Sequence, residues 1–193
     1  YSVTGVQTCA LPIYLIDLPD SEAHDVMNEI QKFWNSRQLY ADNGFIQKRG
    51  ILLWGPPGSG KTSLLYTISD WINKHDGVSI WVDTSPHIAI QGFKTFRHIE
   101  PERPLLCILE DIDELASKFG DAELLSLLDG DKQVNNIVFL ATTNYPHRLD
   151  SRLVNRPSRF DTVIKIDMPS IETRTHFCLL KNKRLASDKE LLK

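Results

Sequence analysis

GPPGSGKT, at residues 55–62, is the stretch whose reading decides the fold. Its glycines let the backbone wrap closely around a bound anion, so that successive N–H groups point inward. Lys61 can reach the β and γ phosphates of a nucleoside triphosphate, and the Thr62 hydroxyl can ligate Mg²⁺. Gly55, Pro56, Pro57, Gly58, Ser59, Gly60, Lys61, Thr62 and Ser63 are therefore the candidate residues for binding ATP, with Thr62 also on the metal. A chance glycine turn would lack the flanks found here. Before the loop, Gly50-ILLW-Gly55 is a continuous apolar run, as expected of a parallel strand covered on both faces. After it, a helix is expected over about 60–73, whose positive N-terminal end adds to the attraction for phosphate.

Working outward, residues 21–39 carry Val26, Ile30, Phe33 and Trp34 at helical spacing, with Asp20 or Ser21 as cap and Glu22 in the first turn. Asn43-Gly44 breaks that pattern. Strands are expected at 79–82 (SIWV), 105–109 (LLCIL), 136–141 (NIVFLA) and 162–166 (TVIKI). Helices are expected at 92–99, 122–128 and 171–185. Strands that alternate with helices predict an α/β class with a parallel five-stranded sheet. Residues 169–193 read as the beginning of a second, smaller unit that stops short.

The run LLCILEDID carries Glu110 and Asp111 to the C-terminal edge of the sheet, where ligands bind in open α/β folds. One carboxylate there can hold the hydration shell of Mg²⁺, and the next can orient an attacking water. A solvated acidic turn is the plainer alternative, and the phosphate loop upstream weighs against it.

Taken with ELLSLLDG at 123–130, ATTN at 141–144 and LDSRLVNRPSRFD at 149–161, these motifs resemble the AAA+ ATPases over about residues 16–193. The last stretch is similar to the second homology region of the AAA subgroup. The E-D-x-D run is similar to the mitochondrial Rieske-protein translocase type. The resemblance implies a P-loop NTPase three-layer sandwich at 14–168 and the start of a truncated helical lid at 169–193. It implies ATP hydrolysis with Mg²⁺ in a ring, a hexamer of identical chains, acting on a macromolecule and most readily a protein. Lys61 would serve catalysis as well as binding. Glu110 falls where the family has its magnesium-associated acid, and Asp111 where it has its catalytic glutamate, so the two residue types are exchanged. Asp111 then acts as base at shorter reach, or the pair trades roles. Asn144 matches the residue that positions the water, with a plain cap before Tyr145-Pro146 as its alternative. Arg156 and Arg159 match the fingers supplied to a neighbouring subunit's γ-phosphate, with a basic surface loop as their alternative. Asn155 is inserted before them and Ser158 stands in place of glycine. Residues 85–92 occupy the place of the family's central pore loop but lack its aromatic–aliphatic–glycine signature, so substrate gripping and plain connection both stay open.

Composition narrows the partners. The net charge of −3 over 193 residues gives no general affinity for nucleic acid or acidic membranes. A nucleic-acid loader and an ATP-dependent assembly protein with little turnover remain as rivals to a working motor. No apolar run approaches the ~20 residues that span a bilayer. Three scattered cysteines form no CxxC pair, which points to a reducing, cytoplasmic setting, and the six dispersed histidines suggest no metal cluster. Trp54, Trp71 and Cys107 read as packing residues, and 16–18 could approach adenine. Residues 3–13, VTGVQTCALPI, resemble the translation of a sequencing adapter. Residues 1–13 are accordingly read as an artefact, the alternative being a natural terminus without order.

Overall fold

The computed structural model describes residues 23–129, 134–154 and 159–181. Expectations for 1–22, for Asn155, Arg156 and Ser158, and for 182–193 lie outside the described residues.

Three apolar runs become the central strands because each feeds two cores at once. β1 (Lys48–Trp54), β3 (Leu105–Leu109) and β4 (Ile137–Thr143) lie in the middle of one sheet, with β2 (Val78–Trp81) and β5 (Thr162–Lys165) at its edges. The order is β2-β3-β4-β1-β5 and every pairing is parallel. Side chains alternate across a strand, so Leu52, Leu105, Cys107, Leu109, Ile137, Phe139 and Ala141 face one core. Ile51, Leu53, Leu106, Ile108, Val138 and Leu140 face the other. The expected five-stranded parallel α/β sheet is thus present, and Cys107 is fully buried within it.

The second core is closed by α1 (Ala23–Asn35) and α3 (Lys61–Lys74), through Val26, Ile30 and Phe33 on the first and Leu65, Ile68 and Ile72 on the second. The first is closed by α4 (Pro86–Ile99), α5 (Ile112–Phe119) and α6 (Asp121–Asp129). A one-turn α7 (Ser151–Val154) precedes β5, and α8 (Ile171–Lys181) follows it.

Three boundaries differ from expectation, each for a local reason. The helix expected over 21–39 is two helices, α1 and α2 (Arg37–Asp42). Ser36 donates its hydroxyl to the Lys32 carbonyl at 2.8 Å, a back-bond that competes with helix continuation. The turn brings Tyr40 edge-on to Phe33, with ring centroids 5.6 Å apart. Second, α4 starts at Pro86 rather than at Gly92, because proline suits the first helical turn, where its missing N–H costs nothing. Residues 86–92, held open as a pore loop or a connection, are therefore the first half of a helix. Third, the acidic run continues directly into α5, whose Ile112 and Leu115 are buried while Asp113 and Glu114 occupy the first turn.

Candidate functional site

Everything the sequence marked as chemistry that can be located gathers at the C-terminal edge of the sheet, except Arg159. β1 ends at Trp54, and the Gly55 N–H donates to the Thr143 carbonyl at 3.3 Å, pinning the start of the phosphate loop to the end of β4. Gly58 and Gly60 take φ of 81° and 93°, in the left-handed region that side chains disfavour. Gly60 is the N-cap of α3, so Lys61 and Thr62 open the helix at its positive end.

Lys61 is buried and folded onto the loop. Its Nζ donates to the Gly55 carbonyl at 2.9 Å, the Pro56 carbonyl at 3.0 Å and Ser59 Oγ at 3.4 Å. Burial draws its pKa below the usual lysine value, against the opposing pull of Asp111 and Asp113. An ammonium held by neutral oxygens inside a turn of N–H groups suits a phosphate, which would offer it a full counter-charge.

Thr62 and Glu110 meet directly: the Thr62 hydroxyl donates to Glu110 Oε1 at 2.5 Å. A hydroxyl and a carboxylate are the hard oxygen donors that suit Mg²⁺, which keeps several waters and takes one or two protein ligands beside substrate phosphates. Among the described residues no group of three or more His, Cys, Asp or Glu could hold a metal by itself.

Asp111 is the N-cap of α5, with φ 46° and ψ 59°. A non-glycine residue in the left-handed region stores strain that its surroundings must hold. Thr142 does so, accepting the Asp111 N–H on its Oγ1 at 3.0 Å. Burial pushes the Asp111 carboxyl above the usual range, and the charges of Glu110, Glu114 and Asp113 add to this while Lys61 opposes it. Asn144, just beyond β4, donates from Nδ2 to Asp111 Oδ1 at 3.4 Å. Beside these acids a cleft of about 470 Å³ opens, lined by Trp81, Asp83, Glu110, Asp111, Glu114 and Lys118 among others. Tyr66 stacks on Trp81 behind it, with ring centroids 4.7 Å apart.

Arg159 lies elsewhere. It is 5% exposed, and its Nε donates to Asp129 Oδ2 at 2.5 Å. Its Nη1 also donates to the Arg152 carbonyl. Lys48 binds the second Asp129 oxygen at 3.1 Å. Burial alone would raise the Asp129 carboxyl; the hydrogen bonds from Arg159 and Lys48 outweigh it and hold it below its ordinary value. In this conformation the guanidinium is engaged within its own chain, and a role toward a neighbour would require it to leave these partners. Hydrogen bonds to charged groups contribute about 1.5–3 kcal/mol each, and Arg159→Ala removes two, so Tm is expected to fall by roughly 6–12 °C. An unchanged Tm with lost turnover would return Arg159 to an intersubunit role.

Trp54 is half-buried at the strand end with Lys165 over its ring at 5.8 Å, and Trp71 is partly buried against the second core. Thr142, Thr143 and Asp113 were not singled out by sequence, although the first two belong to the ATTN run.

Comparison with known proteins agrees with this geometry. The pattern of the ATPase family associated with various cellular activities (AAA) matches residues 51–168. The ATPase family gene 2 protein of Saccharomyces cerevisiae is 29% identical over 188 residues, covering 90% of this chain and 24% of that protein. Proteasome-activating nucleotidase 2 of Haloferax volcanii is 28% identical, covering 81% and 42%. The ATP-dependent zinc metalloprotease FtsH 1 of Phytoplasma mali is 28% identical, covering 88% and 31%. The chain thus spans between about a quarter and two fifths of the length of these relatives. With the phosphate loop, the acidic pair and the parallel sheet in place, the chain belongs to the AAA ATPase family, whose domains use ATP with Mg²⁺.

Proposed function

We propose that this chain is the motor domain of an ATP hydrolase that works in a ring, a hexamer of identical subunits, to remodel or translocate a protein in the cytoplasm. The observation that carries the reading is the convergence of Lys61, the Thr62–Glu110 contact at 2.5 Å and the Asp111–Asn144 contact at 3.4 Å on one sheet edge. The printed names of two relatives, a proteasome-activating nucleotidase and an ATP-dependent metalloprotease, support a protein as the object of the work. Among the described residues no helix is long and apolar enough to cross a membrane.

In this reading residues 14–168 form the nucleotide-binding domain and α8 opens the lid at 169–193. Residues 55–63 cradle the phosphates, with Lys61 on the β and γ groups. Thr62 and Glu110 hold Mg²⁺, which when bound would neutralise charge on the phosphates. Asp111 takes the proton of the attacking water, and Asn144 orients that water between the carboxylate and the γ-phosphate. Glu110 is engaged with Thr62 while Asp111 faces Asn144, which favours Asp111 as base over exchanged roles. Arg156 is then the finger to a neighbour.

The inward pairing of Arg159 supports a second reading, a nucleotide-dependent assembly protein with little turnover. Turnover per subunit measured against concentration of the whole protein separates the two. A ring motor is expected to gain activity steeply as it assembles, because each site needs its neighbour's arginine. Turnover that stays low and flat while ATP still binds would favour the second reading. Stimulation by nucleic acid rather than by unfolded protein would count against a protein substrate.

A further inference from the structure

Thr143 has no exposed surface, yet it carries a hydroxyl. A buried hydroxyl needs partners, and this one has two. Its Oγ1 donates to Asp113 Oδ1 at 2.7 Å and accepts the Tyr145 N–H at 3.0 Å. The first bond, assisted by the carboxylate's charge, ties the end of β4 to the first turn of α5. The second turns the chain just past Asn144, so Asn144 sits in a bend closed on both sides by one hydroxyl. Next to it Thr142, 1% exposed, accepts the N–H of Asp111, whose left-handed backbone also offers its carbonyl to the Glu114 and Leu115 N–H groups. Two adjacent threonines therefore bind β4 to the β3–α5 turn at two successive points. Asp111 and Asn144 both hang from these ties, 3.4 Å apart.

We propose that Thr142 and Thr143, with Asp113, are positioning residues for ATP hydrolysis. They set the separation of the Asp111 carboxylate and the Asn144 amide between which the attacking water is seated. This rests on the roles given above to Asp111 and Asn144. Neither threonine touches the nucleotide; each acts through the residue it holds. A fixed separation matters because a misplacement of about 1 Å can cost on the order of 100-fold in rate.

The test is Thr143→Val in the whole protein, read by steady-state ATP hydrolysis, ATP affinity and Tm. Valine keeps the branched shape and loses both hydrogen bonds. A fall in kcat of roughly 10-fold or more is expected, the size of one hydrogen bond to a charged group. The KM for ATP should move less than about 3-fold, as for an interaction realised in the transition state. Thr143→Ser, which restores the hydroxyl, should recover most of kcat. In an Asn144→Ala background Thr143→Val should cost under about 2-fold more, since residues that act through one another are not additive. The proposal is overturned by a folded Thr143→Val with kcat near wild type, or by a full multiplicative loss in the double variant. If Thr143→Val does not fold, Asp113→Asn decides by the same measurements. It keeps an acceptor oxygen and loses the charge, so a kcat loss of roughly 3-fold at unchanged KM supports the proposal, and unchanged kcat sinks it. Asp111→Asn made in parallel separates the two levels. Turnover that survives it refutes the role of Asp111 itself; turnover lost there but intact in Thr143→Val refutes only the positioning.

Discussion

Asp111→Asn is expected to lower kcat by roughly 10² to 10⁴-fold, the usual contribution of a positioned general base, while ATP affinity changes little. The substitution is unusually clean at this position. Asparagine tolerates the left-handed backbone that Asp111 adopts at φ 46°. The N–H to Thr142 Oγ1 survives, and the side-chain oxygen can still accept from Asn144 Nδ2. What disappears is the ability to take a proton. The same change should raise Tm at neutral pH. The sign follows from the direction of the pKa shift. Burial and the neighbouring acids raise the folded-state pKa of Asp111. Its stabilising proton is therefore fully present below the ordinary carboxylate value and lost as pH rises through the folded value. At pH 7 the ionised carboxylate opposes folding, and the neutral amide relieves it. The Tm gain should shrink as the pH falls through the folded value and be gone below about 4. The raised value also moves the acid limb of kcat/KM to higher pH than an unperturbed aspartate would give. Near-normal turnover in Asp111→Asn would remove Asp111 from the mechanism, and a lower Tm would contradict the desolvation of its carboxylate.

Strand identity was the most legible part of this chain, and the reason is the parallel sheet. LLCIL, IVFLA and ILLW are apolar at every position because both faces of each strand are covered. Helix limits were less legible where one side chain decides them, as with the Ser36 hydroxyl on Lys32 or Pro86 opening α4. No helix was expected over 112–119, where acidic residues surround the buried Ile112 and Leu115. At the site, the gathering of the local motifs was readable: the loop, the acidic pair and Asn144 lie at one sheet edge. The ties between Asp111 and Thr142 and between Asp113 and Thr143 were not, because they depend on register. Leu109 lies opposite Ala141, so the residues just beyond each strand end meet across the gap. Nothing local to either segment records that register. The inward pairing of Arg159 was hidden for the same kind of reason. Its partner Asp129 is 30 residues away at the end of α6, and only the tertiary fold brings the two together.

Gly50→Ala is expected to be the most damaging single methyl in the described chain. β5 is an edge strand that pairs with β1 over only four residues, from Ile51 opposite Thr162 to Trp54 opposite Lys165. Glycines bracket that seam. A Cβ on Gly50 would lie 1.5 Å from the Arg159 carbonyl oxygen, and one on Gly55 would lie 2.0 Å from that of Ile166. Both neighbours are backbone, so no rotamer change relieves the overlap. Relief at Gly50 means moving residue 159, and that residue is anchored by its guanidinium to Asp129. The strain therefore passes into a buried ion pair and the β5 seam together. Overpacking typically costs 1–3 kcal/mol when side chains can yield; with backbone on both sides a loss of about 3 kcal/mol or more is expected. For a chain of this size that corresponds to a drop in Tm of roughly 6–12 °C. Gly92→Ala is the control. Gly92 sits exposed inside α4 with nothing within 4 Å of an added Cβ. The same methyl there should stabilise by roughly 0.5–1 kcal/mol, the helical preference of alanine over glycine. Thermal unfolding of the two variants side by side checks the argument. If Gly50→Ala melted within a degree or two of the parent, the Arg159 carbonyl could not lie against β1 as described, and the inward setting of Arg159 would fall with it.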